Sequence, residues 1–244
     1  MPVPTQPSLA LASGATYHIY GVSRFGHPLE AYYCQCHPGQ QADLLLMGGF
    51  HGDEPEGITV AKAWLTTLLN DEVIKTALGT TSVVVIPSVN PDGAALATRK
   101  NGWLVDINRN WPTANWQPSL RSDAYHGGAW PLSEPETEAL YQLIETAKPR
   151  QGILSLHTPY AEVNTDGPAT QLEPLAQAVA SAYQYPITAS IGYPTPGSFG
   201  TWAGVEQGYP VLTVELAEGG DEVALLQQSY QALLNLLRVV ASHG

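Results

Sequence analysis

Residues 44–57, LLLMGGFHGDEPEG, decide how the rest of the chain is read. Four apolar residues run without a break and then turn at paired glycines, as a strand buried on both faces does on leaving a sheet. From Glu56 to Leu69 the apolar spacing becomes helical. Strand, short loop and helix in that order form half of a parallel crossover unit. The polar loop residues His51 and Glu54 therefore fall where such sheets bind ligands, beyond the carboxyl ends of strands.

The same alternation extends outward in both directions. Apolar runs bounded by turn residues predict strands at Thr16–Tyr20, Glu30–Cys36, Leu44–Gly48, Ser82–Ile86, Gly152–Leu156 and Val211–Leu216. Helices are predicted at Glu56–Leu69, Glu134–Ala147, Glu173–Ala182 and Glu222–Val240. In SEPETEAL, Ser133 is read as the cap, Pro135 sits in the first turn and Glu136 takes the capping-box position. The expected fold is α/β: a single-domain, mixed, mostly parallel central sheet with helices on both faces. A length of 244 residues suits one such domain over 1–244.

The formal charge is −12, with 22 acids against ten bases that form no basic stripe, so nucleic acid and anionic membrane are poor partners. No positive residue precedes Arg24 and no run approaches the length of a spanning helix, which supports neither a signal peptide nor a membrane anchor. Cys34 and Cys36, the only cysteines, are spaced too closely for an unstrained disulfide, and a reducing cytoplasm is the expected location. As a CxC pair they are read as core or surface thiols rather than a metal site.

Three predicted strands deliver metal-ligand residue types to one sheet edge. His51 and Glu54 follow LLLMGGF, His157 follows GILSL, and Glu215 ends VLTVE. Zinc accepts nitrogen and oxygen ligands, and a catalytic site uses three protein ligands with one position left for water. Taken singly, His51 and Glu54 equally describe a helix cap and a solvated acid, and His157 a structural strand-end residue. Glu215 is different, because a carboxylate inside an apolar strand needs a partner or a task. Beside a metal it can take a proton from water and pass it to a leaving amine. The segment NPDGAALATRKNGWLVDINRNWP adds Asn108 and two of the chain's six arginines, Arg99 and Arg109. Guanidinium groups bind carboxylates and stabilise oxyanions, so the pair can serve two negative groups. Asp106 in the same segment can accept a hydrogen bond from a ligating imidazole.

The order HxxE, NPDG, Arg, DxNRN, SxH and TxE resembles the zinc carboxypeptidases of the carboxypeptidase A type from Leu45 to the C-terminal helix. The resemblance implies one zinc ion held by His51, Glu54 and His157, with Glu215 as general base. It also implies Arg99 as the electrophile over the scissile carbonyl, and Asn108 with Arg109 as a clamp on a terminal carboxylate. NRNWPTANW and IGYPTPGSFGTW, with the short chain, are similar to a branch that cleaves the γ-D-glutamyl–meso-diaminopimelate bond of murein tripeptide in cell-wall recycling. No propeptide is expected before Leu44.

Tyr193 is an approximate match to the tyrosine that closes over substrate in digestive members, and Gly200 stands near the base of their specificity pocket. Where many members have glycine before Val-Asp, this chain has Leu104. A general metallocarboxypeptidase, an N-acyl amino acid deacylase on the same site, and a non-catalytic peptide-binding module are the competing readings. Acids in Arg121–Gly128 or Asn164–Gly167 are candidates for reading the rest of the substrate. Oligomeric state is not legible.

Overall fold

Alternation along buried strands sorts the side chains into two cores, one on each face of the sheet. In the computed structural model, which describes residues 9–10, 14–189 and 192–243, the strands in chain order are β1 (Leu9–Ala10), β2 (Ala15–Val22), β3 (Pro28–Cys34), β4 (Leu44–Met47), β5 (Val83–Ile86), β6 (Gly152–His157), β7 (Tyr160–Asp166), β8 (Ile187–Thr188) and β9 (Val211–Ala217). The reading of residues 1–8 and 11–13 lies outside the described residues, as does that of Ile191. The helices are α1 (Pro55–Asn70), α2 (Glu72–Leu78), α3 (Pro91–Leu96), α4 (Pro135–Ala147), α5 (Ala169–Tyr183) and α6 (Glu222–His243).

Among the described residues the strands form one sheet in the order β1-β2-β3-β5-β4-β6-β9-β7-β8. The central run β5-β4-β6-β9 is parallel throughout, and antiparallel pairing enters on either side of it, at β3·β5 and β7·β9. The fold is thus mixed α/β with helices on both faces, as expected. Leu44 and Leu46, Val83 and Val85, Leu154 and Leu156, and Leu212 and Val214 point into one core with residues of α1, α2, α5 and α6. Leu45 and Met47, Val84 and Ile86, Ile153, and Val211 point into the other with α4, Trp111, Phe199 and Trp202. Each such side chain, fully buried, contributes roughly 1.5–3 kcal/mol.

Parity also places the chemistry. On β6, Ser155 and His157 share a face with Ile153; on β9, Thr213 and Glu215 share one with Val211. Near the carboxyl ends of these strands the second core gives way to polar side chains, and His157 lies directly opposite Glu215 in the parallel register.

Two sequence expectations are corrected. Ser133 does not cap α4: the boundary residue is Glu134, which makes no side-chain cap. The Asn110 side-chain oxygen instead accepts from the Glu134 backbone N–H and the Thr137 hydroxyl, so a distant loop braces the start of the helix. Glu136 is buried and turned away from the capping-box position, accepting from the Arg24 N–H and the Asn101 amide. Strand β7 was not expected, because YAEVNTD carries too many polar residues to read as a buried run.

Leu104 occupies the left-handed region at φ 62°, a conformation that glycine adopts without a side-chain penalty. The turn holds because the Asn101 side-chain oxygen accepts from the N–H groups of Trp103 and Val105, while Leu104 itself is about half exposed. Leu104→Gly should therefore stabilise the protein by about 0.5–1 kcal/mol, raising the thermal midpoint by roughly 1–4 °C. A lowered midpoint would show that the leucine side chain supplies packing that outweighs the strain.

Candidate active site

The first two polar residues leave β4 on a loop made tight by glycine. A β-carbon at Gly52 would overlap the Gly93 backbone of the NPDG segment, so only glycine lets the two loops meet. His51 and Glu54 are buried there, Glu54 at the start of α1 with no side-chain cap. His51 Nδ1 lies 2.6 Å from Glu54 Oε1, His157 Nδ1 lies 3.0 Å from Glu54 Oε2, and the two Nδ1 atoms are 3.3 Å apart. One ligand atom from each of the three residues falls within 4.8 Å of the others.

Each imidazole is held from behind by its other nitrogen. His51 Nε2 faces Asp106 Oδ1 at 3.3 Å, and His157 Nε2 faces the Ser155 hydroxyl at 3.0 Å. Two ring nitrogens and a carboxylate converging on one point, with the far nitrogens already engaged, match the donor set and outer support of a metal site. Phe50 stacks on His157 with centroids 5.6 Å apart, backed by Phe199 and Trp111. This aromatic wall fixes the ring plane.

The charges follow from these neighbours. Although burial pushes the Glu54 carboxyl up, the His157 and His51 imidazoles outweigh it and hold the group well below the carboxylate range. Asp106 is fully buried, yet His51, Arg99 and Arg109 keep it ionised. His51 is raised because Asp106 and Glu54 overcome its desolvation, whereas burial prevails at His157 and lowers it.

Arg99 Nε donates to Asp106 Oδ2 at 2.8 Å, and its Nη1 lies 3.7 Å from Glu54 Oε1. Asn108 and Arg109 sit on a short 3₁₀ turn, Ile107–Arg109, capped by Asp106. The Asn108 oxygen accepts from the Phe199 N–H at 2.9 Å, which leaves the amide nitrogen free to donate. Arg109 Nη1 donates to the Asn108 carbonyl, and no carboxylate among the described residues lies within ion-pair distance of its guanidinium.

Tyr125 lies beside both arginines, 5.1 Å from Arg99 and 5.3 Å from Arg109, so one ring braces two cations. The sequence reading missed it, since an aromatic in a long irregular loop carries no periodic signal. The acid of that loop, Asp123, accepts from its own loop backbone at Leu120 and does not line the cavity. Of the segment Asn164–Gly167, Asn164 and Asp166 do line it. Tyr193 is at the rim, its phenol pushed up to about 12 by burial and a hydrogen bond to Tyr160.

A polar cavity of about 200 Å³ brings His51, Glu54, His157, Glu215, Arg99, Asn108, Arg109 and Tyr193 together. Residues 12–233 match the family model described as zinc carboxypeptidase. The chain belongs to the zinc carboxypeptidase family. Murein peptide amidase A of Escherichia coli strain K12 is 32% identical over 230 residues, covering 90% of this chain and 88% of that protein. The Vibrio campbellii protein of the same name is 36% identical over 208 residues, covering 81% and 77%. The crystal structure of murein-tripeptide amidase from Escherichia coli O157 superposes with a TM-score of 0.69 at 30% identity, covering 91% of each chain. The protein is accordingly a zinc metallopeptidase or amidase.

Glu215 is the group whose ionisation is most exposed to test. Its Oε2 is buried without a hydrogen-bond partner, and burial, reinforced by Glu54, pushes the carboxyl from 4.5 to about 8. The folded form therefore binds the proton more tightly than the unfolded form. In metal-stripped protein this stability is present at low pH and lost as pH rises from about 4.5 to about 8, levelling above that. Urea titrations of metal-stripped wild type and Glu215→Gln should show the variant gaining on wild type across that window, and parallel curves would refute the shift.

Proposed function

We propose that this chain is a zinc-dependent amidase of carboxypeptidase type that hydrolyses the γ-D-glutamyl–meso-diaminopimelate bond of murein tripeptide. One observation carries the reading: a single cavity pairs a buried carboxyl with one oxygen unpartnered, Glu215, with a guanidinium, Arg109, that has no carboxylate within ion-pair distance among the described residues. The first is what proton transfer needs and the second what a substrate's terminal carboxylate needs. The names of the relatives supply the choice of cell-wall peptide.

His51, Glu54 and His157 would hold the metal. Zinc bound there supplies a Lewis acid for the scissile carbonyl and makes water more acidic. Asp106 and Ser155 keep the two imidazoles turned so that Nδ1 faces inward. Arg109 and the Asn108 amide hold the terminal carboxylate, fixing which bond lies next to Glu215. Glu215 takes the proton from water and delivers it to the departing amine nitrogen. Arg99, held by Asp106 and steadied by Tyr125, donates to the carbonyl oxygen as negative charge builds on it. Tyr193, neutral at physiological pH, closes the side of the cavity near Tyr160.

The residues carrying these groups belong to one sheet and its loops, so one catalytic domain suffices. Cytoplasmic peptidoglycan recycling is the proposed setting, in keeping with two free buried cysteines. Among the described residues no helix is long and apolar enough to cross a membrane.

Diaminopimelate release from murein tripeptide, measured on zinc-loaded protein, is the direct test. Glu215→Gln should lose about a thousandfold in kcat while still binding one zinc per chain. Full turnover by that variant would sink the mechanism. Faster cleavage of an α-linked all-L peptide, or of an N-acetyl or N-succinyl amino acid, would move the substrate assignment to a general carboxypeptidase or a deacylase.

A further inference from the structure

The turn joining β2 to β3, residues 23–27, does not line the cavity, yet its groups grip both flanks of the segment that carries Arg99. On one flank the Ser23 hydroxyl and the Phe25 N–H donate to the buried carboxylate of Asp92, and His27 Nδ1 lies 2.7 Å from it. Asn90 of the same NPDG run donates to the Arg99 carbonyl at 3.4 Å. On the other flank Arg24 Nε donates to Glu134 Oε2 at 3.1 Å and its Nη2 to the Ser133 carbonyl at 2.8 Å. The same guanidinium lies 4.0 Å from the centre of the Trp103 ring.

Glu134 passes this hold to Asn101. The fully buried Asn101 amide nitrogen donates to Glu134 Oε2 at 2.9 Å and to Glu136 Oε2 at 3.2 Å, and its side-chain oxygen accepts from Trp103 and Val105. The Asn101 backbone closes the same loop, its N–H donating to the Val105 carbonyl at 2.8 Å and its carbonyl accepting from Leu104 at 3.0 Å. Arg99 and Asp106, an ion pair at 2.8 Å, flank that loop. Two buried carboxylates meeting at one amide repel each other, and burial, reinforced by Asp92, pushes the Glu136 carboxyl up. Among the described residues Arg24 is the one cation within ion-pair distance of Glu134, and none reaches Glu136. Removing the guanidinium leaves the acids drawn together by the amide alone, which frees the Asn101 side chain and the stem of the loop that aims Arg99.

We propose that Arg24 is a positioning residue for amide hydrolysis, acting through Glu134 and Asn101 to aim Arg99 at the carbonyl oxygen. This rests on the reading above, in which Arg99 donates to that oxygen as charge builds on it. Asp106 has further anchors in His51, the Asn108 N–H and the His126 carbonyl, which accepts from its backbone N–H. Asn110 bonds separately to the start of α4, and the Asn108 side chain to the Phe199 N–H. The metal ligands and the carboxylate clamp therefore keep their places without Arg24, and the loss falls on Arg99.

The test is a double-mutant cycle on zinc-loaded protein. Turnover and KM are measured for wild type, Arg24→Gln, Arg99→Gln and the double variant, on murein tripeptide or on whichever amide wild type cleaves fastest. Arg24→Gln should lower kcat about tenfold, with KM within about twofold of wild type and zinc content unchanged. Arg24→Lys, which keeps a charge beside Glu134, should recover most of that loss. Arg99→Gln should lower kcat about a hundredfold, and in that background Arg24→Gln should cost less than about twofold more. Wild-type kcat in Arg24→Gln overturns the proposal. So does a tenfold loss that persists in the Arg99→Gln background, or one that falls on KM or zinc content instead, since each marks a general structural role. If Arg99→Gln leaves kcat unchanged, the role read for Arg99 fails and this proposal falls with it. Preference for an α-linked peptide or an N-acyl amino acid would fail the cell-wall assignment alone, and the cycle on that substrate decides the role of Arg24 by the same criteria.

Discussion

A fully buried carboxylate, Asp106, ties the site together. Isolated in the interior such a charge would cost several kcal/mol. Here it is held by His51 Nε2, Arg99 Nε and the Asn108 N–H, so both oxygens are satisfied. One group therefore turns a candidate metal ligand, aims an arginine at the same point and starts the turn that presents Asn108 and Arg109. Because all three depend on one buried charge, none can move without exposing it. That coupling also accounts for Leu104: a strained residue persists where the surroundings leave no alternative, and Asn101 and Asp106 anchor the loop on either side of it.

Much of this was legible in the sequence because it obeys periodicity. Strands β4, β5, β6 and β9 are short apolar runs with side chains sorted by parity, and helices α1, α4, α5 and α6 are apolar at helical spacing. The residues expected at the site, from His51 to Glu215, line one cavity or, in the case of Asp106, lie just behind it. What escaped the reading lacks a local signal. The brace at the start of α4 comes from Asn110, more than twenty residues away. Tyr125 acts by spatial proximity to two arginines. Strand β7 is stabilised by pairing with β9 and β8 rather than by an apolar run of its own.

Three carboxylates close to one another behave differently because their surroundings differ. Glu54 and Asp106 are surrounded by imidazole and guanidinium groups and stay ionised. Glu215, facing Glu54 across the cavity with no donor at Oε2, is pushed up to about 8. Environments that drive two acids apart assign one to holding charge and the other to moving protons. A bound cation would lower Glu215 towards neutrality, the range in which a base exchanges protons most readily at physiological pH.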